Sequence, residues 1–193
     1  MGRESVRKGK EFMCAIAKDV SAWSGSPVSL ARSPRSGDFF LPEGFPFFFE
    51  AKNDKRWGYK QWLPPAETAP RAKSSNVMRV WFYQLLTDWA CAQREALARD
   101  EEARLPVPAL VFTRSYEPIW ILHMQPSPDG LCSGHDNLIP IFLQPDAPSL
   151  WFIVALQWPV FLSLSFYHLQ VVVARRSTQE WLREALRRFV ERP

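Results

Sequence analysis

The sequence predicts an α/β fold, because segments with helical periodicity alternate along the chain with short apolar runs typical of buried strands. Apolar residues recur at helical spacing over 10–23 and 77–99, and apolar runs occupy 39–41, 45–49 and 109–113. The chain has 193 residues, of which 47% are hydrophobic, and this composition is typical of a globular domain with its own core.

The first predicted helix covers 10–23 and ends at Gly25, after a basic start over residues 1–8 that we expect to be flexible. Glu11 falls in the first turn of this helix, where the helix dipole favours a negative charge. Residues 24–37 are rich in Ser, Pro, Gly and Arg, and this composition predicts a loop.

The segment from Asp38 to Lys52 predicts a β-hairpin, since two apolar runs flank the turn-forming residues Pro42-Glu43-Gly44. If the loop is centred on Gly44, Asp38 lies opposite Glu50, and side chains in that relation have Cβ atoms about 5 Å apart. Glu50 and Lys52 are two residues apart, so they point to the same face of their strand. One face of the hairpin is therefore expected to carry two carboxylates and one ammonium.

Such a cluster is suited to metal-dependent hydrolysis of a phosphodiester. Oxygen ligands of this kind suit Mg²⁺, which is usually held by one or two carboxylates together with waters and substrate phosphate. The ion polarises a phosphoryl oxygen and orients the attacking water, and a neighbouring lysine stabilises the developing charge. The alternative interpretation is an exposed ion pair between Glu50 and Lys52, which would contribute little to stability. The apolar run 45–49 favours the functional interpretation, because charges at the end of a buried strand are costly unless they are used.

The spacing Asp38 … Glu50-Ala51-Lys52 resembles the motif of the PD-(D/E)XK nuclease superfamily, which consists of an Asp, a spacer and (Asp/Glu)-x-Lys. The residue before Asp38 is Gly37, where the motif has Pro. Within the superfamily the chain is most similar to phage and archaeal-type Holliday junction resolvases, through Gly9-Lys10-Glu11-Phe12 and the stretch 32–37.

The resemblance covers residues 1–125 and implies a restriction-endonuclease-like αβββαβ core. Residues 126–193 are then a C-terminal strand and helix extension, packed on the core in one compact domain. This extension could complete the sheet, cover it, or form a dimer interface. The predicted strands after the motif are 109–113, 119–124 (with His123 as a packed strand residue), 151–156 and 161–173, and the predicted last helix is 178–191.

The resemblance also implies a Mg²⁺-dependent endonuclease, with Mn²⁺ as an alternative ion. Asp38 and Glu50 would bind the metal, and Lys52 would assist water activation or stabilise charge. In the resembled resolvases a glutamate near the start of the first helix lies next to the metal, so Glu11 becomes a candidate third catalytic and metal-binding carboxylate. A plain helix-dipole role for Glu11 remains the alternative.

Basic and polar residues on both sides of the motif are candidates for binding DNA, because phosphate contacts position a substrate without reading its sequence. Each of them could equally belong to an ordinary solvated surface, and the net charge of +4 is compatible with nucleic acid without being diagnostic. The candidates are Arg32, Ser33, Arg35 and Ser36 before the motif Asp, Lys55, Arg56 and Lys60 after the motif Lys, and Gln84, which the resemblance places on a helix face towards the site.

Targeting and redox signals point to a soluble protein with no membrane contact. The three cysteines lack zinc-ligand spacing, and no secretory segment follows the charged N-terminus. The longest apolar run, 150–166, is interrupted by Gln157 and Pro159. We expect the reducing cytoplasm of a bacterium or of a phage-infected host cell.

The leading hypothesis is a structure-selective endonuclease that cleaves branched DNA. Cutting two strands of a symmetric junction needs two active sites, so this hypothesis predicts a homodimer. Two alternatives stay open: a nicking, repair or restriction-type nuclease without junction specificity, and a non-catalytic nucleic-acid-binding module in which the Glu-x-Lys sequence is coincidental.

Overall fold

The computed structural model describes residues 3–31, 38–53, 77–113, 118–125 and 152–190. Over these residues the chain is a mixed α/β protein with five helices, each too short or too polar to cross a membrane. The helices are α1 (Arg3–Ser24), α2 (Val77–Arg99), α3 (Trp158–Ser163), α4 (Phe166–Ala174) and α5 (Arg176–Val190). The strands are β1 (Ser29–Leu30), β2 (Phe39–Phe40), β3 (Phe47–Asn53), β4 (Val107–Thr113), β5 (Trp120–Gln125) and β6 (Phe152–Gln157).

Four strands form a mixed sheet in the order β3-β4-β5-β6. β3 and β4 are parallel, with Glu50 beside Leu110, whereas β5 is antiparallel to both β4 and β6. Two parallel strands need a crossover connection, and α2 lies between β3 and β4 along the chain and packs against both. All seven residues of β4 are buried, which is typical of a strand inside a sheet with covered faces.

The hairpin predicted for 38–52 is wrong. The turn is present, with the Phe45 N–H donating to the Pro42 carbonyl at 3.2 Å and Gly44 at φ +73°. However, β2 pairs with β1 in a separate two-stranded sheet, with Phe40 beside Ser29. Pro42 ends the first apolar run and Pro46 lies inside the second, and each lacks the N–H that a ladder between those runs would use.

α1 begins earlier than predicted, since residues 3–8 are helical instead of a flexible start. An i,i+4 ion pair between Arg7 and Glu11 at 3.5 Å supports this additional turn. The helix ends before Gly25, as predicted, and Gly25 has φ +67°. The buried face of α1 consists of Phe12, Ile16, Ala17 and Val20.

An aromatic core surrounds β3. The rings of Phe47 and Phe161 lie 5.3 Å apart at a steep angle, and the ring of Trp23 lies 4.9 Å from Phe161. The Trp23 Nε1–H also donates to the Leu164 carbonyl at 2.8 Å. The prediction that 45–49 is buried on both faces is therefore confirmed, because every residue of that run is buried.

Residues 152–190 extend the sheet with β6 and cover it with helices, so they fill two of the roles that the sequence left open. The strand predicted for 161–173 is wrong, since this apolar stretch forms most of α3 and α4. Pro159 lies in the first turn of α3, and the Ser165 hydroxyl accepts from the His168 N–H to cap α4. An apolar run of this length is equally compatible with a buried strand and a buried helix.

Candidate active site

Glu50 and Lys52 form a close ion pair near the C-terminal end of β3. Lys52 Nζ lies 2.5 Å from Glu50 Oε1, so the two side chains share one face of the strand as predicted. The Glu50 side chain is 4% exposed and that of Lys52 is 22% exposed. This burial excludes the alternative of an exposed ion pair.

Asp38 reaches the same place by a route that differs from the predicted hairpin. Asp38 directly precedes β2, and its Oδ2 accepts a hydrogen bond from the backbone N–H of Ala51 at 2.7 Å. β3 is an edge strand of the four-stranded sheet that the structure describes, so the bond to Asp38 pairs a backbone N–H on the outer side of that sheet. The carboxylate is thereby fixed beside Glu50, and its charge acts on that side chain.

A further carboxylate, Asp88, was not identified as a site residue from the sequence. It is partly buried on α2, which packs against β3, and the Gln84 side chain hydrogen-bonds to it. Its charge acts on both Asp38 and Glu50, and the Lys52 ammonium acts on it. The signal was present in the sequence, because Gln84 was expected to face the site and Asp88 follows it by four residues on the same helix face.

Glu11 is not brought to this cluster. It lies in the interior of α1 instead of in its first turn, its side chain is 64% exposed, and it pairs with Arg7. The next residue, Phe12, is on the buried face of α1. Successive side chains on a helix are about 100° apart, so Glu11 points towards solvent. Glu11 therefore lies on the helix surface, away from the cluster, and beyond the first turn in which the predicted helix-dipole role would act.

Burial raises the pKa values of all three clustered carboxylates, and the charges of neighbouring carboxylates raise those of Asp38 and Glu50 further. Burial raises the pKa of Asp38, and the Ala51 N–H and the Lys52 ammonium partly offset the increase. Burial and the Asp38 charge together raise the pKa of Glu50, against the lowering effect of Lys52. Burial also raises the pKa of Asp88, which Lys52 and the hydrogen bond from Gln84 partly lower.

The cluster carries more negative than positive charge. The Asp88 charge acts on Asp38 and Glu50, the Asp38 charge acts on Glu50, and among the described residues Lys52 is the cation that acts on all three carboxylates. The excess of two negative charges equals the charge of one divalent cation. Buried carboxylates without a partner are costly, so this imbalance is typical of a site that binds a cation.

Asp38 and Glu50 fit a magnesium site by the chemistry of their donors. In the ranges that the structure describes, no three Asp, Glu, His or Cys side chains are grouped closely enough to hold a metal ion. Mg²⁺ does not need such a group, since it keeps several waters and is commonly held by one or two carboxylates and a substrate phosphate. The two motif carboxylates therefore suit Mg²⁺ or Mn²⁺ better than an ion that needs a full set of protein ligands.

Most of the residues proposed to bind DNA lie outside the described part of the chain. Gln84 is described: it is exposed on α2 and beside the cluster through its bond to Asp88. The candidates outside the described residues are Arg32, Ser33, Arg35, Ser36, Lys55, Arg56 and Lys60.

His123 lies on β5, inside the core, as the sequence predicted. It is 0% exposed, and its ring packs 6.0 Å from that of Phe47 and 6.3 Å from that of Phe161. Burial lowers its pKa from 6.5 to about 4, so its imidazole is neutral at physiological pH. This histidine serves the packing of the sheet.

The chain was compared with protein-family models, with curated proteins and with solved structures, and none of the three comparisons gave a match. What the protein does must therefore be inferred from its own side chains and the distances between them.

Proposed function

We propose that this chain is a divalent-metal-dependent DNA endonuclease of the PD-(D/E)XK type. The observation that supports this most directly is the meeting of Asp38, Glu50 and Lys52 at the end of one buried strand. These three residues are separated by twelve and two positions along the chain, and two different elements bring them together. The excess negative charge of the cluster matches the need of such an enzyme for Mg²⁺ or Mn²⁺.

Each of the three residues has a distinct role in the proposed reaction. Asp38 and Glu50 hold the divalent ion, which supplies polarisation of the phosphoryl oxygen and charge neutralisation when it is bound. Lys52 projects from the same face of β3 as Glu50 and donates to the non-bridging oxygens as negative charge develops on them. The buried aromatic residues of β3 hold these groups in place and keep water from reaching them from the core side.

The order of elements also favours the proposal. The chain runs α1, β1, β2, β3, α2, β4, which is the αβββαβ order implied by the resemblance. One difference is that β1 and β2 pair with each other apart from β3. The restriction-endonuclease-like core is thus part of the proposal, whereas the mixed α/β fold is observed.

Branched DNA is the proposed substrate and a homodimer the proposed assembly. A four-way junction has two-fold symmetry, and two copies of one site related by that symmetry would cut paired strands. The basic residues on both sides of the motif would hold the sugar–phosphate backbone. A cytoplasmic location, in a bacterium or a phage-infected cell, remains a prediction of the same hypothesis.

Cleavage of a labelled four-way junction and of its matched linear duplex tests the proposal. Both substrates are incubated with Mg²⁺, with Mn²⁺ and with EDTA, for the natural chain and for Asp38→Asn and Lys52→Ala. Glu95→Gln is the matched control, because Glu95 is an exposed carboxylate on α2 outside the cluster. Metal-dependent cutting that both site variants lose and the control keeps is the expected result.

Other outcomes of this experiment select the alternatives. Paired cuts in the junction support the resolvase-like function, and equal cutting of junction and duplex supports a nicking, repair or restriction-type nuclease. Binding of DNA without cutting in any metal overturns the catalytic proposal in favour of a nucleic-acid-binding module.

A further inference from the structure

The observed ion pair places Lys52 where it competes with a metal ion. Its ammonium lies 2.5 Å from Glu50 Oε1, so it already occupies one of the two oxygens that Glu50 can offer to a metal. A divalent cation bound through the other oxygen would lie within a few ångströms of the ammonium, and the two positive charges repel each other. Binding of a metal to Glu50 therefore favours movement of the lysine to another partner.

Asp88 is placed to be that partner. It lies on α2, which packs against β3, so it faces the strand that carries Lys52. The Lys52 charge acts on its carboxylate, which also accepts a hydrogen bond from the Gln84 side chain. The helix turn that carries it is anchored, since the neighbouring Trp89 is 0% exposed and its Nε1–H donates to the Pro106 carbonyl at 2.8 Å. Lysine has a flexible four-carbon stem, so its ammonium can change partner while its Cα stays fixed.

We propose that Asp88 is a positioning residue that receives the Lys52 ammonium when Glu50 binds a divalent cation. This inference rests on the proposed function and adds to it a role for a residue outside the Asp … Glu-x-Lys motif. Without metal, Lys52 neutralises Glu50, and Asp38 and Asp88 carry the remaining charge. With metal, Lys52 neutralises Asp88, and Asp38 and Glu50 together balance the two charges of the ion.

The alternative is that Asp88 is itself a metal ligand. The described residues contain no close group of three acidic, histidine or cysteine side chains, which favours the positioning role. The two roles also differ in their dependence on Lys52. A ligand contributes whether or not the lysine is present, whereas an acceptor for the lysine has no function once the lysine is removed.

A double-mutant cycle on Mn²⁺ affinity separates these roles without using DNA or activity. Mn²⁺ binding is measured by electron paramagnetic resonance for the natural chain, Asp88→Asn, Lys52→Met and the double variant. Glu95→Gln, which removes an exposed carboxylate from the same helix, is the control. Circular dichroism and thermal unfolding are recorded for every variant, so that affinities are compared only between folded proteins.

In the natural background we expect Asp88→Asn to weaken Mn²⁺ binding about tenfold, within the range of coupling between side chains that share a network. In the Lys52→Met background we expect the same substitution to weaken binding only about twofold, since a screened charge effect is all that remains. The control is expected to bind Mn²⁺ as the natural chain does.

Equal weakening by Asp88→Asn in both backgrounds would overturn the inference and identify Asp88 as a ligand or a general source of negative charge. An unchanged affinity in Asp88→Asn would overturn it as well. In either case the proposed function survives if Asp38→Asn and Glu50→Gln abolish Mn²⁺ binding. If these two variants bind Mn²⁺ normally, or the natural chain does not bind it, the proposed metal site itself is wrong.

Discussion

Lys52→Met is expected to destabilise the metal-free protein by about 2 kcal/mol near neutral pH, because a hydrogen bond to a charged group contributes about 1.5–3 kcal/mol. The structure places this bond where solvent cannot replace it, since the Glu50 side chain is 4% exposed. Methionine keeps much of the apolar stem of lysine, so the substitution removes the charge with little loss of packing.

The destabilisation by Lys52→Met should be larger at neutral pH than at low pH. Burial raises the pKa of Glu50 above its ordinary value of 4.5, and Lys52 lowers it in part, so removing the lysine raises the pKa further. When folding raises the pKa of a carboxyl group, the free energy of unfolding of the protein falls as pH rises through the raised pKa. The difference in unfolding free energy between the variant and the natural chain is therefore expected to grow above pH 4.5, as Glu50 ionises. It is expected to disappear at lower pH, where Glu50 is protonated in both folded proteins.

Urea unfolding followed by tryptophan fluorescence measures this difference over a series of pH values. The matched control is Arg176→Met, which breaks an ion pair of 2.7 Å whose two side chains are 92% and 61% exposed, and it should leave the unfolding free energy unchanged. A destabilisation by Lys52→Met that is the same at low and neutral pH would refute the reasoning, because it would arise from packing and not from the Glu50 charge. A destabilisation no larger than that of the control would refute it too.

Three further predictions concern the core and the site. The lowered pKa of His123, about 4 against 6.5 in the unfolded chain, predicts a loss of about 3 kcal/mol as pH falls from 6.5 to 4. His123→Leu should remove this contribution to the pH dependence in urea unfolding, and a pH dependence identical to that of the natural chain would contradict the assignment. Glu50→Gln should abolish the increase in melting temperature that Mn²⁺ gives the natural chain, as scanning calorimetry would show; an Mn²⁺ response that remains would count against Glu50 as a ligand. Trp89→Phe should cost about 1–3 kcal/mol of unfolding free energy, because the carbonyl of Pro106 loses its partner at 2.8 Å; a neutral result in urea unfolding would mean that water replaces that bond.

The parts of the site that follow from local sequence could be predicted well. Side chains two apart on a strand share a face, so Glu50 and Lys52 had to lie together once β3 was recognised. The burial of 45–49 followed from its composition, since four phenylalanines in five residues leave no polar face. The bounds of α2 and β5 were likewise close to the predicted ones.

The parts that depend on distant pairing could not be predicted from the sequence. Asp38 does meet Glu50, but through β2 pairing with β1, which no local pattern specifies for strands of two residues. Apolar periodicity cannot tell a buried strand from a buried helix, and the stretch 161–173 was assigned wrongly for that reason. Glu11 was misplaced because the helix gained turns at its N-terminus, where Arg7 forms an ion pair that extends it.

Stability alone does not explain why this cluster exists. A structural ion pair needs one cation for one carboxylate, and α5 provides such a pair on the surface between Arg176 and Glu180. At the end of β3 three carboxylates share one described ammonium, burial disfavours the charge of each, and carboxylate charges further raise the pKa values of Asp38 and Glu50. Replacing a buried ion pair with well-packed apolar residues is often neutral or stabilising, so a fold under selection for stability alone would be expected to lose the cluster. The cluster therefore supports the proposal of a site whose missing positive charge arrives with a ligand, and the loss of the Mn²⁺ response in Glu50→Gln would support it further.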